Sequence, residues 1–363
     1  MQSNKRCGAV LAGILIAILA VPPDAWTAAR QQEGPQTPPQ EQQPQAPKPP
    51  TGQQANRPQQ PPQTPQVAIS VESRLVSIDA VVTDQDGNLV TGLKKDNFKV
   101  FDDGQLQEVT NFAPTEAPIT IVILMEFSNL YWGRFGYKAQ YWADGFLQTL
   151  KPQDWVALKT FDLNTTIRVD FTQDKRQIDE AIRTLGFATF REANLFDAVH
   201  QTLDQLRDVK GKKSILLLAT GFDTFSKHNL DQIVRELKET DVTIFSVGMA
   251  EELNLYGDGG VSYMQAQNQL NTFARMTGGY AWFPRFEAEM PAIFNSVGAF
   301  LRNQYTLVFS PTTPQDGKYH KITVELLDDQ GNPLELVNKK GKKKKAVVTA
   351  REGYTALAAP PSD

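Results

Sequence analysis

The sequence predicts an α/β domain, its sheet mostly parallel with one antiparallel edge strand, inserted between two β segments that form a β-sandwich. Three observations predict it. From residue 118 to residue 304, apolar strands such as "ITIVILM", "WVALKTF", "SILLLAT" and "VTIFSVG" alternate with helical stretches, the pattern of a parallel sheet covered on both faces. On either side the period shortens to two, as in strands with one buried face. The turn phrases of the two flanks also echo each other, "VVTDQDGNLV" before and "LLDDQGNPL" after.

The elements follow in order. "NKRCGAVLAGILIAILAV" places Lys5 and Arg6 before a short apolar run, and "TAA" ends at Ala29. That is the layout of a secretory signal peptide over 1–29, with an uncleaved anchor as the alternative. Export to the cell envelope or beyond is therefore expected. Residues 30–66 are dominated by proline and glutamine and bury too little apolar surface to offset their ordering entropy, so a disordered spacer is expected. Residues 67–117 form the first β segment. Its turn "DQDGN" contains Asp84 and Asp86, read as hairpin formers rather than calcium ligands; "KKDN" and "DDGQ" mark further turns.

The α/β region, 118–304, departs from parallel order once. "TTIRVDF" follows "VALKTF" after only "DLN", too short for a crossover, so Thr165–Phe171 is predicted as the antiparallel edge strand. Phe135, Ala139, Trp142, Phe146 and Leu150 recur at helical spacing and are predicted to face the sheet. Residues 305–356 return to period two and are read as pairing with the first β segment in one sandwich, two separate small β modules being the alternative, and 357–363 are a disordered tail.

Composition removes several classes. The chain has 363 residues, a net charge of −4, one cysteine (Cys7) and three dispersed histidines. A disulfide framework or thiolate zinc site is excluded within one chain, and the acidic balance argues against nucleic acid. No Gly-x-Ser-x-Gly elbow and no phosphate loop occurs.

The phrases "VTDQDGNLVTGLKKDNFKVFDDGQLQEVTNF" and "QYTLVFSPTTPQDGKYHKITVEL", with the closing "AREGYTA", resemble the von Willebrand factor A-related proteins of the acidobacterial type, over nearly all of Val71 to Ala356. The resemblance implies a Rossmann-like A domain, secreted or membrane-tethered. It also implies a Mg²⁺ site at the carboxyl ends of the strands. That site needs Asp-x-Ser-x-Ser after the first strand, a threonine before the third helix and an aspartate after the fourth strand. Here Glu126 replaces the aspartate, Ser128 matches, and Leu130 replaces the second serine. The threonine position falls on Ala193 beside Asn194. The second aspartate position falls on Thr220, with Asp223 three residues on. Mg²⁺ demands near-ideal octahedral geometry, so a degenerate site and no resident cofactor are expected. In this reading Ser128, Asn129, Asn194 and Thr220 hydrogen-bond Glu126 instead. Weak Mg²⁺ binding through Glu126 and Ser128 is the alternative.

"NLYWGRFGYKAQYW" follows directly. Asn129, Tyr131, Trp132, Arg134, Tyr137, Tyr141 and Asn194 are candidates for contact with a protein partner, because Tyr, Trp and Arg dominate binding hot spots; burial of the aromatics in the core is the alternative. "NKKGKKKK" supplies Lys339, Lys340, Lys342, Lys343, Lys344 and Lys345, read as a solvated hairpin loop or as a contact for an anionic envelope surface. The function expected is an exported, non-catalytic protein-binding or adhesion-type module. The rivals are a Mg²⁺-dependent ligand-binding A domain and an envelope hydrolase using a carboxylate pair such as Glu126 with Asp223.

Overall fold

The computed structural model describes residues 75–114, 117–129, 142–248, 260–314, 316–328, 330–337 and 343–356. The signal, spacer and tail segments, Leu130, Tyr131, Trp132, Arg134, Tyr137, Tyr141, Lys339, Lys340 and Lys342 lie outside them. Four strands precede the α/β region: β1 (Val76–Thr83), β2 (Phe98–Asp102), β3 (Gln105–Gln107) and β4 (Val109–Pro114). Within it follow β5 (Ile119–Glu126), β6 (Trp155–Phe161), β7 (Thr165–Thr172), α1 (Lys175–Arg183) and α2 (Leu195–Leu206). Then come β8 (Lys212–Ala219), α3 (Leu230–Glu239), β9 (Thr243–Gly248), α4 (Gly260–Thr277), β10 (Ala281–Trp282) and α5 (Met290–Arg302). Six strands close the described fold: β11 (Gln304–Phe309), β12 (Tyr319–Leu326), β13 (Glu335–Val337), β14 (Lys343–Lys345), β15 (Val347–Ala350) and β16 (Gly353–Thr355).

Among the described residues the central sheet runs β10-β9-β8-β5-β6-β7. Every neighbouring pair is parallel except β6 with β7, which is antiparallel at the edge. Strand β5 is buried along its whole length because it has a strand on each side and helices over each face. Its residues alternate between two cores. Ile121, Ile123 and Met125 pack with Trp142, Phe146 and α5 on one face; Val122 and Leu124 pack with α2, α3 and α4 on the other. Trp142 and Phe146 thus take the core places their spacing predicts, with Leu150 packed beside them.

The flanks form two four-stranded sheets, β15-β1-β11-β4 and β16-β12-β2-β3. Both ends of the chain contribute to each, as the antiparallel pairings β1 with β11 and β2 with β12 show. One apolar cluster fills the space between them, including Ile78, Val100, Leu307, Phe309 and Ile322. The echoing turn phrases build the same turn twice. Asp84 Oδ1 accepts from the amides of Asp86 and Asn88, and Asp328 Oδ1 from those of Gln330 and Asn332. Gly87 and Gly331 close the two turns at φ +82° and +83°. The turn marked by "KKDN" is a 3₁₀ turn over Lys95–Asn97.

The described part of the lysine run is one arm of a hairpin, with Lys343 and Lys345 exposed. Lys343, Lys344 and Lys345 form β14, antiparallel to β13. Alternate residues of a strand face opposite sides. Lys343 thereby meets Glu335 at 2.6 Å, while Lys344 lies half-buried against Asp84 and Asp86. Two of the three described lysines are committed to carboxylates of the same chain.

Candidate functional site

At the carboxyl ends of β5, β6 and β8 the chain turns into loops that hydrogen-bond one another. The apolar run of β5 ends on Glu126, whose side chain is buried. A buried carboxylate has to be satisfied, and three donors do this. Ser128 Oγ donates to Oε1 at 2.5 Å; the Thr220 amide and Thr220 Oγ1 donate to Oε2 at 2.7 and 2.8 Å. Burial pushes the Glu126 carboxyl above its ordinary range, and the bonds from Ser128 and Thr220 pull back only part of the way.

Gly221 explains how the β8 loop reaches Glu126. Its φ is +88°, and a Cβ there would meet the Ala266 carbonyl oxygen at 2.6 Å. Only glycine allows the chain to turn this close to α4 immediately after Thr220.

Asn194, predicted to reach Glu126, bonds elsewhere. Its Nδ2 donates to the Leu163 carbonyl and its Oδ1 accepts from the Phe225 amide. The Asn129 amide donates to the Phe190 carbonyl at 2.6 Å. The reason is local: α2 begins at Leu195, and its first turn leaves amides without helical partners. Asn194 does not cap them with its side chain. Asp223 Oδ1 accepts from the Phe196 amide and from Ser226 Oγ, while the Asp197 amide donates to Ser226 Oγ. Asp223 is thereby a helix cap contributed by the neighbouring loop, not a visible partner of Glu126. Ala193 is buried among apolar neighbours, and its amide and carbonyl both bond Thr224.

These bonds join three loops into one platform: 127–129, 186–194 and 220–226. Large apolar side chains project from it. Phe187 is 97% exposed, Phe225 68%, and Phe190 nearly half. Phe187 also lines a shallow cavity of about 220 Å³ with Phe127, Arg168 and Leu185. Sequence reasoning missed these phenylalanines. Their signal was present: "GFATFREAN" carries two aromatics outside any helical or strand period.

Among the described residues, no helix is long and apolar enough to cross a membrane. Residues 135–283 match the family model described as the von Willebrand factor type A domain. No curated protein matches the chain. Among solved structures, proximal thread matrix protein 1 of the mussel byssus is similar at 13% identity and a TM-score of 0.42. The match covers 52% of this chain and 49% of that one, so the chain spans about half the length of that protein. The von Willebrand domain of the type V pilus tip protein Mfa5 from Porphyromonas gingivalis matches at 12% identity and a TM-score of 0.40, covering 52% of this chain and 96% of that one. A von Willebrand factor type A structure from Catenulispora acidiphila matches at 12% identity and a TM-score of 0.42, covering 78% and 75%.

Proposed function

With residues 135–283 a von Willebrand factor type A domain, we propose that the chain is an exported, non-catalytic binding module that engages a protein partner through the loops at the carboxyl ends of its strands. The observation that carries this reading is the set of exposed phenylalanines, Phe187, Phe190 and Phe225, on loops tied to one another by hydrogen bonds. Exposed aromatic patches on soluble proteins mark interaction sites, and tying the loops together lowers the entropy cost of binding. The neighbouring aromatic stretch, with Trp132 and Arg134, extends the same recognition chemistry in sequence.

Mg²⁺ is not required in this reading. The donor set at the metal position is one carboxylate and two hydroxyls, and Ala193 offers no side-chain donor. The hydrogens of both hydroxyls and of the Thr220 amide are directed at Glu126. A cation bound there has to displace these bonds, and Mg²⁺ tolerates little departure from octahedral geometry. We therefore expect no thermal stabilisation by millimolar Mg²⁺, whereas a hundredfold excess over Kd at a working site gives about 2.7 kcal/mol. A rise in Tm of several degrees that disappears in Glu126→Gln reverses this conclusion.

The same arrangement disfavours carboxylate hydrolysis, because Glu126 is enclosed by donors and Asp223 serves as a helix cap. The test of the binding reading is capture from an envelope fraction with the full chain as bait. Triple substitution of Phe187, Phe190 and Phe225 by alanine is expected to lower recovery of the specific partner at least tenfold. Tm should stay within about 2 °C, since exposed side chains contribute little to stability. Trp132→Ala and Arg134→Ala should weaken capture too, and a chelator should not. Undiminished capture by the triple variant sinks the proposal.

A further inference from the structure

Two of the three histidines of this chain meet beside the platform. His200 projects from α2 and His228 precedes α3, and their rings stack with centroids 4.0 Å apart and 29° between planes. Sequence gives no hint of this, because the two lie 28 positions apart in different elements. Each ring is held by its own carboxylate. His228 Nδ1 lies 2.6 Å from Asp197 Oδ1, and His200 Nδ1 lies 2.8 Å from Glu236 Oε1. Asp197 is itself fixed by the amides of Lys227 and His228, both at 3.0 Å. At His228, a carboxylate accepting from Nδ1–H leaves Nε2 with its lone pair outward, which is how histidine ligands of metals are commonly oriented; at His200 a cation would take the place of the Nδ1 proton, between Nδ1 and Glu236.

One donor atom from each of His200, His228 and Glu236 lies within 4.8 Å of the others. All three side chains are about one-third exposed, 32%, 28% and 31%, so the cluster is open to solvent. Around a tetrahedral cation with bonds of about 2.0–2.1 Å, ligand atoms stand roughly 3.3 Å apart. Small rotations of partly exposed side chains close that difference.

We propose that His200, His228 and Glu236 bind a divalent cation of the zinc class, with Asp197 as the outer carboxylate that positions His228 and a water completing the tetrahedron. Two imidazoles and one carboxylate select late transition ions over Mg²⁺ and Ca²⁺, which take oxygen ligands. The consequence is mechanical. His228 ends the loop that begins at Thr220 and includes Asp223 and Phe225. A cation joining His228 to α2 and α3 pins the far end of the loop whose near end is held by Glu126.

The other histidine cluster differs in kind. His320 lies between Asp102, Asp103 and Asp316, and Asp102 also accepts from Thr313 and Tyr354. That cluster offers one imidazole among carboxylates, one nitrogen ligand fewer than His200, His228 and Glu236 supply, and so suits a zinc-class ion less well. His320 therefore serves as the internal control.

The experiment is calorimetric titration of the full chain with Zn²⁺, and separately with Mg²⁺, at about pH 7.5, where an ordinary imidazole is neutral. Histidine ring resonances are recorded in parallel. One Zn²⁺ per chain is expected, with the His200 and His228 resonances shifting and that of His320 unmoved. His200→Gln, His228→Gln and Glu236→Gln should each weaken binding by more than the roughly ten- to hundredfold that loss of an outer partner costs. Asp197→Asn should fall within that range. The proposal is overturned if Zn²⁺ does not bind, if binding survives both histidine substitutions, if His320 responds in place of the pair, or if Mg²⁺ binds equally well.

Discussion

Asp154→Ala is expected to lower Tm by about 6–20 °C, the largest effect of any single substitution considered. Asp154 is completely buried at the amino end of the central sheet. Its carboxylate accepts from the Ile119 amide at the start of β5 (3.1 Å) and from the Lys151 amide (2.6 Å), and it pairs with Arg302 at the end of α5. One side chain thus ties a central strand, the turn before β6 and the last helix of the domain. Removing one member of a buried ion pair leaves an uncompensated charge, at a cost of about 3–5 kcal/mol. For a chain of this size each kcal/mol moves Tm by roughly 2–4 °C. Asp154→Asn keeps an acceptor for one of the two amides, which bond different carboxylate oxygens, and should lose less. Thermal unfolding followed by circular dichroism decides the matter, and a loss below about 1 kcal/mol for the alanine variant would show that Arg302 gains nothing from Asp154. Partner capture per folded molecule should not change, because Asp154 lies at the opposite end of the strands from the platform.

Glu126→Ala comes next. It leaves the Thr220 amide, the Thr220 hydroxyl and the Ser128 hydroxyl buried without their acceptor. Unsatisfied buried donors and the small cavity together cost about 3 kcal/mol, a fall in Tm of roughly 6–12 °C. This loss should be the same with Mg²⁺ or chelator present. Glu126→Gln retains an acceptor and sheds the buried charge, so it should be close to neutral. The pH dependence separates charge from hydrogen bonding. Burial raises the carboxyl pKa in the folded chain above the unfolded value of about 4.3. The protonated form therefore favours folding. Its contribution is complete below the unfolded value and is lost as pH rises through the folded one. Relative to Glu126→Gln, the wild-type chain should lose stability as pH rises from about 4 towards neutrality. A gap between the two variants that stays constant over this range would contradict a raised carboxyl pKa.

Much of the architecture was legible because it rests on local periodicity. The run "ITIVILM" is apolar on both faces and so belongs in the middle of a covered sheet. The three-residue link "DLN" before "TTIRVDF" forces an antiparallel pair, and β7 is that pair. The turn phrases announced paired flanks, and the flanks do share two sheets and one core. Around Glu126, the sequence determined which groups are present: hydroxyls at Ser128 and Thr220, and no side-chain donor at Ala193.

Not every hydrogen bond was legible, because some depend on which loop arrives beside which. Ser128 and Thr220, both read from the sequence as partners of Glu126, do bond it, Thr220 with two of the three bonds. Asn194 was expected at Glu126 but is drawn to Leu163 and Phe225, and Asp223 is taken by the Phe196 amide at the start of α2 and by Ser226. Phe187 and Phe190 stand outside any period in the sequence, but Phe225 carries no such signal, and it is the packing of its loop that leaves it in solvent. The pairing of His200 with His228 likewise depends on how α2 and α3 lie across one face of the sheet. Periodicity reports which side of an element is buried, and that is a local property. A site at the meeting of loops depends on contacts distant in sequence, which only the folded chain decides.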